Sequence, residues 1–323
     1  MNTLRAALRI ALTVAVLGSA HAAAQGYPAK TIRIIVPFGA GGPADIYARY
    51  LGQRLQETLG QSFVVDDRPG AGSIIGTDAV AKSPADGYTL LPMSNTHTVN
   101  ETLVPKKPFA LMKDFAPIAP INYSDLLLVV HPSVPVKSVK ELIALAKSKP
   151  RGLNYASSGT GTPYHMAGEL FKSMAKVDIV HIPHKSSGEA RTSVMSGQVE
   201  MMMDAVPTMA PLAKSGRVRA VATTGKQRSV ILPDVPTVAE AGVPGYEAPI
   251  WLGIMAPAGT PKAVIDRLNA EITKIVRRPD VKKAWNDQGA EPMAMTPAEF
   301  EKYLNGDIAK WATVVKTAGI RVD

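Results

Sequence analysis

Cysteine is absent from all 323 residues. Its absence excludes structural disulfides, cysteine-ligated zinc or iron–sulfur clusters, a cysteine nucleophile and a lipid-modified N-terminal cysteine. Aromatic residues are scarce at 6%, and without basic runs among them the footprint of nucleic-acid binding is missing. Acid is the minority charge: 27 Asp and Glu face 36 Lys and Arg, and the formal charge of +9 favours anionic partners without naming one. The six histidines fall in no H-E-x-x-H or comparable spacing, and His181 with His184 lacks an evident third ligand, so no metal is expected. No uncharged apolar stretch reaches the roughly 18 to 20 residues that span a bilayer.

What is present starts with an export pattern. Arg5 and Arg9 precede an apolar run over 10–17 and a small-residue segment over 19–24, which reads as a signal peptide over 1–24. Cleavage is expected after Ala22-Ala23-Ala24, with Ala20-His21-Ala22 as the alternative. The remainder, drawn from a chain with 46% hydrophobic and 20% charged residues, has the balance of a folded protein. An exported chain works where nucleotide cofactors are scarce and chromosomal DNA is absent, so no cofactor and no nucleic acid are expected.

Short β-branched runs at 32–36, 63–66 and 88–91 alternate with helical patterns, a βαβ progression that predicts an α/β protein with a parallel sheet. After Pro43, residues Ala44, Tyr47, Ala48, Leu51 and Leu55 share one helical face, and Gly60 can end that helix. A second set of strands is expected at 126–130, 153–156, 179–182, 200–203 and 219–222. Helices are expected around 141–147, from Pro163, after Ser187 and around 209–214. The tail reads as helices over 263–277, 281–287 and 297–317. With no flexible linker between the two α/β units, they are expected as lobes around a cleft.

Four small-residue loops could carry chemistry. In Phe38-Gly39-Ala40-Gly41-Gly42, ahead of Pro43, glycines let backbone N–H groups turn inward and the helix N-terminus adds positive potential, so the natural occupant is an anion. Asp45 complements that helix dipole. Gly70, Gly72 and Gly76 suggest a dinucleotide loop, but Asp66 precedes them instead of following by about 20 residues, and a cleft-wall role is preferred. Ser158-Gly159-Thr160-Gly161 repeats the first loop's logic, with Thr162 a plausible N-cap and Pro163 at the first helical position. Two facing helix ends would fit a solute with a carboxylate at each end. In the fourth loop Lys185 can pair with a carboxylate and Ser186 can cap or donate. Ser94, Thr96 and His97 offer donors at the cleft edge, while Asp204 serves second-line orientation or capping more naturally than ligand contact. Ser157, His165 and Asp204 supply triad residue types, but no G-x-S-x-G elbow accompanies them, and no catalytic residue is assigned.

Together, the segment from Tyr27-Pro28 through Pro37-Phe38, its Gly41-Gly42-x-x-Asp45 continuation, Arg68-Pro69-Gly70-Ala71-Gly72 and Asp86-Gly87-Tyr88-Thr89-Leu90-Leu91 resemble the Bug-type solute receptors of tripartite tricarboxylate transporters. The likeness continues through Asp234-Val235-Pro236-Thr237-Val238-Ala239-Glu240-Ala241-Gly242 and Ala256-Pro257-Ala258-Gly259-Thr260-Pro261. The resemblance implies a monomeric, non-enzymatic periplasmic protein with a type II-like binding-protein fold. Lobe 1 would be discontinuous, over 25–127 and 225–323, and lobe 2 would span 128–224. It implies a small carboxylate ligand, aromatic acids such as terephthalate included, held by the first-lobe glycine loop and by Ser158 to Gly161. It also implies delivery to a membrane permease of one small and one large subunit. Ligand presentation to a sensor kinase and an exported serine hydrolase using Ser157 or Ser158 are the alternatives. The family often has Tyr-Lys-Gly-Ser-Gly-Pro where this chain reads His184-Lys185-Ser186-Ser187-Gly188-Glu189, and Pro or Ala at Gly39.

Overall fold

A computed structural model describes residues 26–317 and 319–321; the expected signal peptide lies outside them. The first sheet is seeded as the sequence predicts. Strand β1 (Ile32–Val36), helix α1 (Pro43–Leu59), strand β2 (Phe63–Asp67), helix α2 (Ile74–Ala81) and strand β3 (Thr89–Ser94) form a parallel β2-β1-β3 unit. Pro43 occupies the first turn of α1, and Gly60, at φ 70°, ends it in the left-handed conformation.

Beyond that unit the sheet turns antiparallel, so the parallel pairing expected from the first three strands holds for them and does not extend to the rest of the sheet. Helices α3 (Asn95–Leu103) and α4 (Leu111–Asp114) lead into the long strand β4 (Phe115–Ser124), and β10 (Ile250–Pro257) returns late in the chain to lie between β3 and β4. With β11 (Ala290–Pro292), the order is β11-β4-β10-β3-β1-β2. Pro117 and Pro120 lie inside β4, where prolines ordinarily argue against a strand. They face Met255 and Gly253, at the two points where the β4–β10 register shifts. The irregular pairing lets residues without an N–H sit inside a ladder.

The second sheet has the order β7-β6-β8-β5-β9, from β5 (Leu126–Val130), β6 (Asn154–Ser157), β7 (Val180–Pro183), β8 (Met201–Ala205) and β9 (Arg219–Thr223). Here β5 alone runs against its neighbours β8 and β9. Its five residues, LLLVV, are completely buried on both faces, consistent with a central strand in which each side chain contributes about 1.5–3 kcal/mol of burial. Helices α5 (Val139–Ser148), α6 (Pro163–Ala175), α7 (Ser187–Met195) and α8 (Val206–Lys214) cover this sheet. Helices α9 (Lys262–Arg277), α10 (Pro279–Asn286) and α11 (Pro297–Thr317) follow the return to the first.

The chain passes between sheets across Asp125, and back through the segment after β9. Buried Thr224 ties both passages: its hydroxyl accepts the Leu126 N–H at 2.8 Å and donates to the Ala248 carbonyl at 2.9 Å. Away from this crossing, Val99 and Leu103 of α3 pack with Met166 of α6 and with Trp311 and Val315 of α11. The junction therefore holds by apolar contact as well as by chain continuity.

Gly253 of β10 leaves no room for a side chain: a Cβ there would overlap the Phe300 ring of α11. Gly253→Ala is expected to cost about 1–3 kcal/mol in urea unfolding. Phe300→Leu added to it should recover part of that loss, and strictly additive losses would contradict the packing assignment.

Candidate functional site

A cavity of 460 Å³ lies between the two sheets, at the ends of strands where small-residue loops turn into helices. Phe38, Gly39 and Gly42 from the β1–α1 loop line it, with Ser94 from the end of β3. Opposite them stand Ser158 and Gly159 after β6, and Lys185 and Ser186 after β7. The lobes touch here. A Cβ on Gly39 would come within 2.8 Å of the Ser186 Cβ, and Gly42 lies near the Ser187 hydroxyl. Gly72 of the second glycine loop likewise abuts the Thr160 carbonyl. That loop, from Pro69 to Ser73, forms cleft wall, the role expected for it in preference to dinucleotide binding.

Helix starts give the cavity its electrostatic character. The helices α1, α6 and α7 all begin on its wall, and the first N–H groups of a helix have no partner within it. Thr162 caps α6 as the sequence indicated, its Oγ1 accepting the His165 N–H at 3.5 Å. Ser186 caps α7, accepting the Glu189 N–H at 3.2 Å, while the Glu189 carboxylate accepts the Lys185 N–H. Among the lining residues there is no Asp or Glu, and Lys185 is the one formal cation. Ser73 adds a polar group that sequence reasoning did not single out. It is 2% exposed, its φ is 78°, and its Oγ has no hydrogen-bond partner among the described residues although it borders the cavity. An unpartnered buried hydroxyl is costly unless something outside the chain engages it. Ile250 and Leu252 of β10 and the Phe38 ring supply apolar wall between these donors.

Seven residues expected at the site stand off the cavity wall. Ala40 is exposed on the outer side of its loop. The Gly41 N–H is engaged by the Asp45 carboxylate at 2.8 Å, so Asp45 shapes the loop in addition to complementing the dipole. Thr160 and Gly161 lie behind the lining, and the Gly161 N–H is taken by His165 Nδ1 at 3.1 Å. Thr96 and His97 face the protein interior in the first turn of α3, where Ser94 is the cap residue and accepts the Thr96 N–H. Asp204 is fully buried and paired with Arg191 at 2.8 Å, and its second oxygen accepts the Ala205 N–H. Burial raises its pKa, with Arg191 acting in the opposite direction.

Two buried imidazoles, His97 and His165, and the half-buried His181 brace the walls. His97 Nδ1 accepts the Ser94 N–H at 3.2 Å, which assigns the Nε2–H to Thr77 Oγ1 at 3.0 Å, and the Thr77 hydroxyl donates to the Ser73 carbonyl. Burial lowers the His97 pKa to about 4. His165 stacks on His181 at 4.1 Å, and burial lowers these two to about 4 and about 3. The triad residue types are not assembled: Ser157, itself fully buried, pairs with His181 at 2.6 Å, whereas Asp204 pairs with Arg191.

Comparison with known proteins agrees with this geometry. Residues 47–320 match the model of the tripartite tricarboxylate transporter family receptor. The protein BugT of Bordetella pertussis is 37% identical over 325 aligned positions, covering 100% of each chain. Among solved structures, R. palustris Rpa4515 with adipate superposes with a TM-score of 0.89 at 37% identity, over 91% of this chain and 99% of that one. MatC from Rhodopseudomonas palustris with bound malate gives 0.85 at 31% identity, over 90% and 100%. The two-lobed α/β architecture is that of a periplasmic binding protein. No helix among the described residues is long and apolar enough to cross a membrane.

The three depressed imidazoles set an acid limit. Between pH 6.5 and about 4 the unfolded chain binds protons that folded His97 refuses, so stability falls as pH is lowered, by at most about 1.4 kcal/mol per pH unit for that residue. His97→Asn keeps an acceptor for the Ser94 N–H and should flatten the loss measured by urea unfolding at pH 6.5 and 4.5; an unchanged slope would contradict the neutral brace. Fold, cleft and sequence together identify the chain as a member of the tripartite tricarboxylate transporter receptor family, a Bug-type solute-binding protein.

Proposed function

We propose that this chain captures a small carboxylate in the periplasm by closing its two lobes over it, and hands it to a two-subunit membrane permease. The observation that carries the reading is the convergence of three helix N-termini on one cavity wall free of acidic side chains. Such a wall attracts an anion through N–H groups and hydroxyls instead of a dedicated buried cation. The adipate and malate held by the two structural relatives point to the same chemistry. Phe38, Ile250 and Leu252 favour a solute whose middle is apolar, flanked by the polar groups that the helix starts receive.

In this reading Gly42 and Ser158 present backbone donors from opposite lobes, Ser73 donates its free hydroxyl, and Lys185 adds charge at the rim. Closure selects the solute, because only a ligand that binds the closed form better than the open one shifts the balance. The closed lobes are the form a permease would recognise.

Gly42 offers a clean test. Its φ of −83° suits any residue, and a Cβ there would meet only ordinary contacts, so Gly42→Val should fold normally while filling the donor face. In isothermal titration of protein freed of bound solute by unfolding and refolding, adipate and a panel of related acids should bind selectively. Gly42→Val should abolish that binding, and Ser73→Ala should weaken it by about tenfold, as expected for one lost hydrogen bond. Wild-type affinity in Gly42→Val, or no binding to any acid, would contradict the proposal.

The Ser157–His181 pair favours a second reading as a serine hydrolase. The burial of Ser157 opposes it. A serine-directed covalent probe is expected to leave the intact mass unchanged, and labelling of Ser157 would establish the hydrolase instead.

A further inference from the structure

We propose that Arg191 is the latch that couples solute capture to lobe closure, acting as a positioning residue on the Gly41–Gly42 peptide. The inference rests on the reading of the cavity as a solute cleft. Arg191 belongs to α7, in the second lobe, and its side chain is 14% exposed. Its Nη1 donates to Asp204 Oδ2 at 2.8 Å, and its Nη2 crosses the cleft to the Gly41 carbonyl at 3.1 Å. One planar guanidinium therefore serves two acceptors on two lobes, a geometry its rigid fork permits and a single ammonium nitrogen reproduces poorly. Asp204 is held in turn by the Ala205 N–H at 2.7 Å, so the fork is aimed from behind by a fixed carboxylate.

What Arg191 touches gives the contact its consequence. The Gly41 carbonyl and the Gly42 N–H belong to one trans peptide and point in opposite directions. Gly42 borders the cavity, and among the described residues its N–H has no partner within the chain. Gly41 is held at φ 75° while its own N–H is fixed by Asp45, so this peptide plane is set from both sides. With Arg191 on the carbonyl, the N–H is turned towards the solute and made a stronger donor by polarisation of the peptide. An anion on the N–H makes the carbonyl a better acceptor for Arg191. Solute binding and closure thus favour each other, as linkage requires. Asp204, read from sequence as a second-line residue, gains its role through this relay.

The absence of cysteine allows a direct test, since Gln53→Cys and Ser173→Cys place two spin labels on exposed positions of α1 and α6 with no competing thiol. Pulsed electron resonance then reads the distance between lobes, without solute and with saturating adipate and related acids. Arg191→Met alone strands a buried carboxylate, so the test uses Arg191→Met with Asp204→Asn, and Arg191→Lys beside it. Both should keep the circular dichroism spectrum and thermal midpoint of the parent, yet lower its closed-to-open ratio about tenfold and raise the release rate of any bound acid by a similar factor. Equal closed populations in the folded double variant and the parent overturn the latch. So does a parent that never populates the short distance. A parent that closes through Arg191 but responds to no acid keeps the latch and removes the carboxylate reading.

Discussion

The first N–H groups of a helix find no acceptor inside it, and this molecule gathers several such sets of donors at one place. Helices α1, α6 and α7 start on the same cavity wall, two of them from one lobe and one from the other. Exclusion of Asp and Glu from that wall leaves the partial positive charge uncancelled. Everything else at the site serves this arrangement. Glycines and prolines bring the backbone close, and Asp45, Glu189 and the buried histidines engage donors that would otherwise compete, leaving a defined few for a solute.

Two sheets contribute to this site. Donors from the two lobes meet at this cavity, and the chain crosses between sheets at strands tied by Thr224. A single sheet presents helix starts from one side only; two sheets set face to face across the cavity present them from both. The contacts between Gly39 and Ser186, and between Gly72 and Thr160, show how close the loops come, and why side chains larger than hydrogen have no space at the first of these positions.

Much of this was legible because turn chemistry is local. Pro43 after Gly41-Gly42, and Pro163 after Thr162, announced helix starts at strand ends, and those starts line the cavity. Residues whose roles depend on distant partners were not legible. Strand β4 is obscured by Pro117 and Pro120, which its register shifts accommodate, and β10, with Ile250 and Leu252, lies far along the chain from the strands it joins and is interrupted by Gly253 among its six apolar residues over 250–256. His97 and Thr96 follow the cap residue Ser94, but the helix turns them inward. Arg191 resembles any polar helix residue until Asp204 and Gly41 are found on either side of it. Ser73 became visible only as a hydroxyl left without a partner.

The most direct measurement of the central claim is amide nuclear magnetic resonance of the refolded protein titrated with adipate. Backbone donors at the helix starts should report the anion individually. The account predicts the largest downfield shifts at the Gly42, Ala44, Tyr164 and Ser187 amides, saturating together, with those of α9 and α10 unmoved. Saturable binding that leaves these four amides unchanged and shifts others instead would contradict it.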